Sequence, residues 1–144
     1  MAHSRKTEDM MPLTNVSLLK GSKTAVQKAA ILDEIYQAMR ETFGVPQDDK
    51  FMMITEHARE DFLFGRHFMN IDRSDDLIII QLTVSDTRSV EQKKALFARI
   101  ARGLAREVGI RSEDIFINLV ETKLENWSFG HGVAQFADRQ PVAV

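Results

Sequence analysis

The chain has 144 residues, 44% of them hydrophobic and 28% charged, with a net charge of −2. That length suits one domain with its own core, and the near-neutral balance excludes a general electrostatic pull toward nucleic acid or an anionic membrane. There is no cysteine, hence no disulfide framework, zinc thiolate site or thiol nucleophile.

Residues 1–10 are polar and show no periodicity, and they are expected to be a flexible leader or vector-derived residues ahead of a single domain over 11–144. Leu13 to Leu19 reads as a short strand, broken by Gly21-Ser22. Ala25, Leu32, Ile35, Met39 and Phe43 then recur at helical spacing. Thr24 and Gln27 form a capping box, Gly44 supplies the stop, and Pro46 follows. Phe51 to His57 reads as a second strand. The linker from Ala58 to Asp76 mixes charge with Phe62, Phe64 and Phe68, and a short strand or hairpin is expected there. Leu77 to Val84 is dense in β-branched and aliphatic residues and reads as a third strand. Ser89 and Gln92 cap a second helix, whose stripe is Val90, Phe97, Ile100, Leu104 and Val108, and Gly109 ends it. Ile115 to Glu121 is the fourth strand. The tail, with Trp127-Ser-Phe-Gly-His-Gly and Phe136, suggests a tight turn that folds aromatic groups back onto the body. Leu77-Ile78-Ile79-Ile80, the longest aliphatic run, is too short to span a bilayer, and the N-terminus lacks the apolar core of a signal peptide. A cytoplasmic protein without nucleic-acid or membrane partners is expected.

Residues 24–54 are repeated without a gap at residues 89–119, at an offset of 65. One supersecondary unit is therefore used twice, over about 12–57 and 77–121. The implied fold class is α+β: two β-α-β units with right-handed crossovers, forming a four-stranded sheet with two helices on one face. Leu77–Val84 is apolar at nearly every position, so both faces of the sheet should be covered. Two helices cover only one, which implies a homo-oligomer. The repeat is also asymmetric: Pro12 heads the first copy, and its counterpart is Leu77.

Pro12 follows Met11, and removal of a methionine there would expose a prolyl amine. An α-amino group titrates near ~8, and burial lowers it toward the range of a general base. The competing reading is a proline at the first residue of an edge strand. Arg88 stands beside the second helix's N-terminus, where a guanidinium and backbone N–H groups suit a carboxylate or phosphate. The competing reading is a solvated loop arginine, and on either reading the fold is expected to be indifferent to its replacement, as a loop side chain beside a helix cap carries little core packing. Asp49 could orient a substrate or activate a water, but its counterpart Asp114 points to a turn aspartate required in both copies. His3, His57, His67 and His131 lack ligand spacing, so no metal is expected. His57 closes a strand, either reaching a pocket or bonded within the structure. Trp127 and Phe129 fit a pocket wall and core packing equally well.

Together these residues resemble the tautomerase superfamily, and most closely its malonate semialdehyde decarboxylase-like branch. The matching segments are Met11-Pro12-Leu13, Phe43-Gly44-Val45-Pro46 with Asp49, Arg73-Ser74, Arg88-Ser89 with Glu91-Gln92-Lys93, and Asn126 to Gly130 leading to Phe136. The resemblance implies a homotrimer acting on small carboxylate-bearing keto or enol compounds without metal or organic cofactor. It implies catalysis by Pro12 as an amino-terminal acid–base group, with Asp49 assisting and Arg88 holding the substrate carboxylate. It implies substrate contacts from Arg73, Trp127, Phe129 and Phe136. Asp86 departs from the pattern, since the decarboxylase has an arginine there. The alternatives are decarboxylation or hydration of a 3-oxo acid such as malonate semialdehyde, and an inert trimeric binding protein if Pro12 stays internal, because an amide nitrogen has no basic lone pair.

Overall fold

The computed structural model describes residues 12–137. Six elements build the fold: β1 (Leu13–Leu19), α1 (Ala25–Phe43), β2 (Phe51–His57), β3 (Ile78–Ser85), α2 (Val90–Val108) and β4 (Ile115–Thr122). The sheet order is β2-β1-β3-β4. β1 runs parallel to β2 and β3 parallel to β4, while β1 and β3 are antiparallel. The expected pair of β-α-β units is therefore present, joined through their first strands.

Both capping boxes form. Thr24 Oγ1 accepts from Gln27 N at 3.1 Å, and Gln27 Oε1 accepts from Thr24 N at 2.9 Å. Ser89 and Gln92 repeat this at 3.1 and 3.0 Å. Gly44 and Gly109 end the helices at φ 68° and 77°, the left-handed region that glycine enters without a Cβ penalty. The expected stripe is buried beyond its first position: Ile35, Met39 and Phe43 of α1, and Ile100 and Leu104 of α2, at the same offset of 65, with Ile31, Ala38, Leu96 and Gly103 buried beside them. Ala25 and Val90 lie outside, because the helices meet the sheet only after their first turn.

These side chains form one core with Val16 and Leu18 of β1 and Ile78, Ile80, Leu82 and Val84 of β3. Alternation along the strands leaves the other sheet face open. Phe51 and Met53 of β2 and Phe116 and Val120 of β4 are exposed there, Phe51 to 55%. Among the described residues no helix is long and apolar enough to cross a membrane.

Charges sit between the helices in a pattern set by the repeat. Arg99 Nε meets Glu41 at 2.7 Å, and Arg106 Nη2 meets Glu34 at 3.2 Å. Arg99 and Arg106 are the counterparts of Glu34 and Glu41, so the copies carry opposite signs at equivalent positions. The hydrogen bond from Arg99 holds the Glu41 carboxyl below its ordinary range. Gly103 admits this cluster, since a Cβ there would collide with the Arg99 guanidinium and the Glu34 carboxylate.

The linker holds no strand or hairpin, contrary to expectation. It has two single 3-10 turns, Arg59–Asp61 and Phe68–Asn70. Its carbonyls are taken by a side chain instead of a ladder: Arg73 Nη1 donates to Gly65 O at 3.0 Å and to Phe68 O at 2.9 Å. Arg59 and Arg66 clamp Asp75 at 3.0 and 2.5 Å, and their hydrogen bonds lower its carboxyl to about 2.

Asp114 fixes the entry to β3. Its oxygens accept from Ser74 N and Ser74 Oγ, both at 2.7 Å, and from Arg111 Nε at 3.2 Å. Burial pushes this carboxyl up, but the bonds from Ser74 and Arg111 outweigh burial and the net shift is downward. A carboxyl with a depressed folded value stabilises the fold above its unfolded value of ~4. That contribution is lost as pH falls through the folded value. Asp114→Asn is therefore expected to cost about 1–3 kcal/mol at neutral pH. Melting curves of the two proteins should converge on acidification below ~4; a gap that is constant with pH would contradict the assignment.

Candidate active site

Strand directions gather one set of residues at one end of the sheet. β1 and β2 begin there, and β3 and β4 end there. Pro12 leads β1, and Leu13 beside it is registered between Phe51 and Thr83. Pro12 is buried. It lines a cleft of about 460 Å³ with Leu13, Phe51, Thr83, Thr122 and the segment from Asn126 to Phe129.

The far wall is built by the tail. A 3-10 turn at Leu124–Asn126 follows β4. Trp127 Nε1 donates to Thr122 Oγ1 at 2.7 Å, and that hydroxyl donates to Val84 O at 3.2 Å, which ties the wall to β3. Trp127 and Phe129 stack at 5.8 Å, and Phe136 meets Phe129 edge-on at 5.6 Å. Gly130 and Gly132 take positive φ and turn the chain, and Gln135 bonds Phe129 N and Gly130 O across the turn at 2.9 and 3.0 Å. The aromatic groups thus fold back onto the body, as expected from the paired glycines.

Asp49 and Arg88 lie at this same sheet end, just before β2 and just after β3. Each is buried, to 8% and 7% exposure. Arg88 Nη1 donates to Ser85 Oγ at 2.6 Å and Nη2 to Phe43 O at 3.4 Å, with the guanidinium 4.8 Å from the Phe43 ring centre. The solvated-loop reading of Arg88 therefore fails. So does the expectation that the fold is indifferent to it, because it closes the carbonyl end of α1. Neither residue is among those lining the cleft, so they flank it instead of forming its wall.

Two residues lie elsewhere. Arg73 is at the opposite end of the sheet of the same protomer, near the starts of β3 and β4. His57 closes β2 at that far end and stacks on Phe62 at 5.4 Å. Thr122, Thr83 and Phe51 line the cleft without having been named as site residues from the sequence. Their signal was register: Phe51 pairs with Leu13, and Thr122 ends the strand beside β3. Among the described residues no group of three or more His, Cys, Asp or Glu could hold a metal ion. An apolar cleft with a buried guanidinium and carboxylate at the same sheet end suits a small, partly apolar anion whose charge is redistributed during reaction.

Similarity to known proteins points to one family. Two family models described as tautomerase enzyme match residues 49–130 and 12–69. The chain is 38% identical over 129 residues to the probable tautomerase YusQ of Bacillus subtilis (strain 168), covering 89% of this chain and all of that protein. It is 32% identical to the probable tautomerase YrdN of the same organism, covering 88% of this chain and 96% of that protein. A solved malonate semialdehyde decarboxylase superimposes with a TM-score of 0.80 at 31% identity, over 86% of this chain and 95% of that one. A fused 4-OT symmetric trimer shares the fold at a TM-score of 0.71 and 21% identity, over 88% and 99%. The chain belongs to the tautomerase family.

Proposed function

We propose that this chain is a cofactor-independent tautomerase in which Pro12, freed as the amino-terminal residue, moves a proton on small carboxylate-bearing keto or enol compounds. The observation that carries this reading is the buried position of Pro12 at an apolar cleft. A match to one family model opens at this same residue. A secondary amine there would be desolvated and so brought toward neutrality, the useful range for proton transfer. Arg88 would hold the substrate carboxylate and draw off charge as the enolate develops. Asp49 would assist Pro12 or place a water. Trp127, Phe129 and Phe136 would exclude solvent from the reacting carbons.

The likeness to the decarboxylase supports a second chemistry, loss of carbon dioxide from a 3-oxo acid. There a protonated Pro12 would polarise the carbonyl. Asp86 is exposed and places an acidic group where that branch has an arginine, which favours tautomerisation. The discriminating experiment uses a chain beginning at Pro12. Ketonisation of phenylenolpyruvate without carbon dioxide release from malonate semialdehyde is expected; the reverse pattern would replace the reading with the second chemistry. With Pro12 kept internal, the protein would be an inert binder.

The working unit would be a homotrimer assembled on the open sheet face. Met53 and Val120 supply its apolar surface, with Phe51 and Phe116 at the two ends of that face, beside the cavities. Sedimentation is expected to give three chains per particle, and a stable monomer at micromolar concentration would overturn this assembly.

A further inference from the structure

The repeat extends in space beyond the residues where it is evident in sequence. A single 3-10 turn follows β2 at Arg59–Asp61, and another follows β4 at Leu124–Asn126. After them Phe62, Phe64 and Gly65 stand 65 residues before Trp127, Phe129 and Gly130. The ring pairs are alike in spacing, 5.6 Å for Phe62 with Phe64 and 5.8 Å for Trp127 with Phe129. The cleft at Pro12 therefore has a twin at the far end of the sheet. This second cavity, about 380 Å³, is lined by Phe64, Phe68, Arg73, Leu77, Ile79 and Phe116 among others. Leu77 takes the place of Pro12, Phe116 that of Phe51, and Phe64 that of Phe129.

The twin cannot perform proline chemistry. Leu77 N is an amide that donates to Ser74 O at 3.1 Å. Its cation also comes from a new position. Lys23 is the counterpart of Arg88, but it is buried and ion-paired to Asp76. Arg73 stands at the cavity instead. Its bonds to the loop all leave from Nη1, toward Gly65, Phe68 and Ile71 carbonyls. Among the described residues nothing accepts from its Nε or Nη2, the edge that receives a carboxylate side-on.

We propose that this second cavity is a non-catalytic binding site for a small apolar carboxylate, with Arg73 holding the carboxylate and Phe64, Leu77 and Phe116 enclosing the apolar part. Its walls are more apolar than those of the catalytic cleft, since Leu63 replaces Ser128 and Leu77 replaces Pro12. A ligand of one carboxylate and one ring fits both the lining and the volume. The assignment concerns binding alone and stands whether or not Pro12 is catalytic.

The test is calorimetric titration of the full chain, in its own oligomeric state, with phenylacetate. One class of sites, one per chain, is expected to be lost in Phe64→Ala and retained in the counterpart variant Phe129→Ala. Arg73→Lys keeps the charge but loses the fork, and should weaken that class about tenfold. Melting curves and sedimentation would establish that each variant keeps its fold and assembly. Binding that Phe129→Ala abolishes and Phe64→Ala leaves intact would overturn the proposal, as would no binding at all. Arg73→Lys without effect on the class lost in Phe64→Ala would remove Arg73 from the site and overturn the carboxylate assignment.

Discussion

A chain beginning at Pro12 is expected to ketonise phenylenolpyruvate roughly 10²–10⁴ times faster than the chain carrying residues 1–11, the range that positioned acid–base catalysis contributes. The difference rests on one bond. With Met11 attached, the Pro12 nitrogen is an amide and neither accepts nor gives a proton. With Met11 removed, it is a secondary amine on a rigid ring, buried at a cleft whose walls include Phe51, Trp127 and Phe129. Loss of the enol absorbance, followed at matched concentrations, reads the effect directly. Its pH profile adds a check, because the rate should rise as the amine loses its proton and level off above that value. Equal rates from the two chains would remove Pro12 from the mechanism.

Arg88→Ala is expected to lower kcat/KM by about one to two orders of magnitude, the equivalent of ~1.5–3 kcal/mol for a charge-assisted contact. Its burial adds a consequence that a loop position does not suggest. The guanidinium donates to Ser85 and Phe43 and stacks on the Phe43 ring, so the variant should also melt earlier, by about 1–3 kcal/mol in stability. Arg88→Lys separates the two effects. It keeps the charge and one donor, and should recover more of the stability than of the activity, because the planar fork is lost. Asp86→Arg should raise any decarboxylase activity by restoring the paired-arginine pattern. If Arg88→Ala melts earlier but turns over substrate normally, Arg88 is a structural residue and the carboxylate is held elsewhere.

Much of the scaffold is legible in the sequence. Capping boxes and terminal glycines act locally, so Thr24, Gln27, Gly44 and their counterparts could be placed from spacing alone. The start of the helical stripe was less secure than its phase. Ala25 and Val90 fit the period but precede the contact with the sheet, while Ile31 and Leu96 carry the core. The linker was misread because its conformation is set by Arg73 reaching back to Gly65 and Phe68, a contact without periodicity. For the site, the lone proline among two copies was visible as an asymmetry. The burial of Arg88 was not, because it depends on Phe43 in the other copy. The second cavity was hidden for another reason: Phe62 and Phe64 lie in a loop, where an offset of 65 leaves few identities to notice.

The opposite signs at positions 34 and 99, and at 41 and 106, commit the two halves to each other. Doubling the first half would set four carboxylates across the helix crossing, and doubling the second would set four guanidinium groups there. Each arrangement is repulsive where the natural pairing is attractive. The two units are thus not interchangeable. They recognise each other and reject themselves, which leaves one half at liberty to keep its proline while the other gives it up.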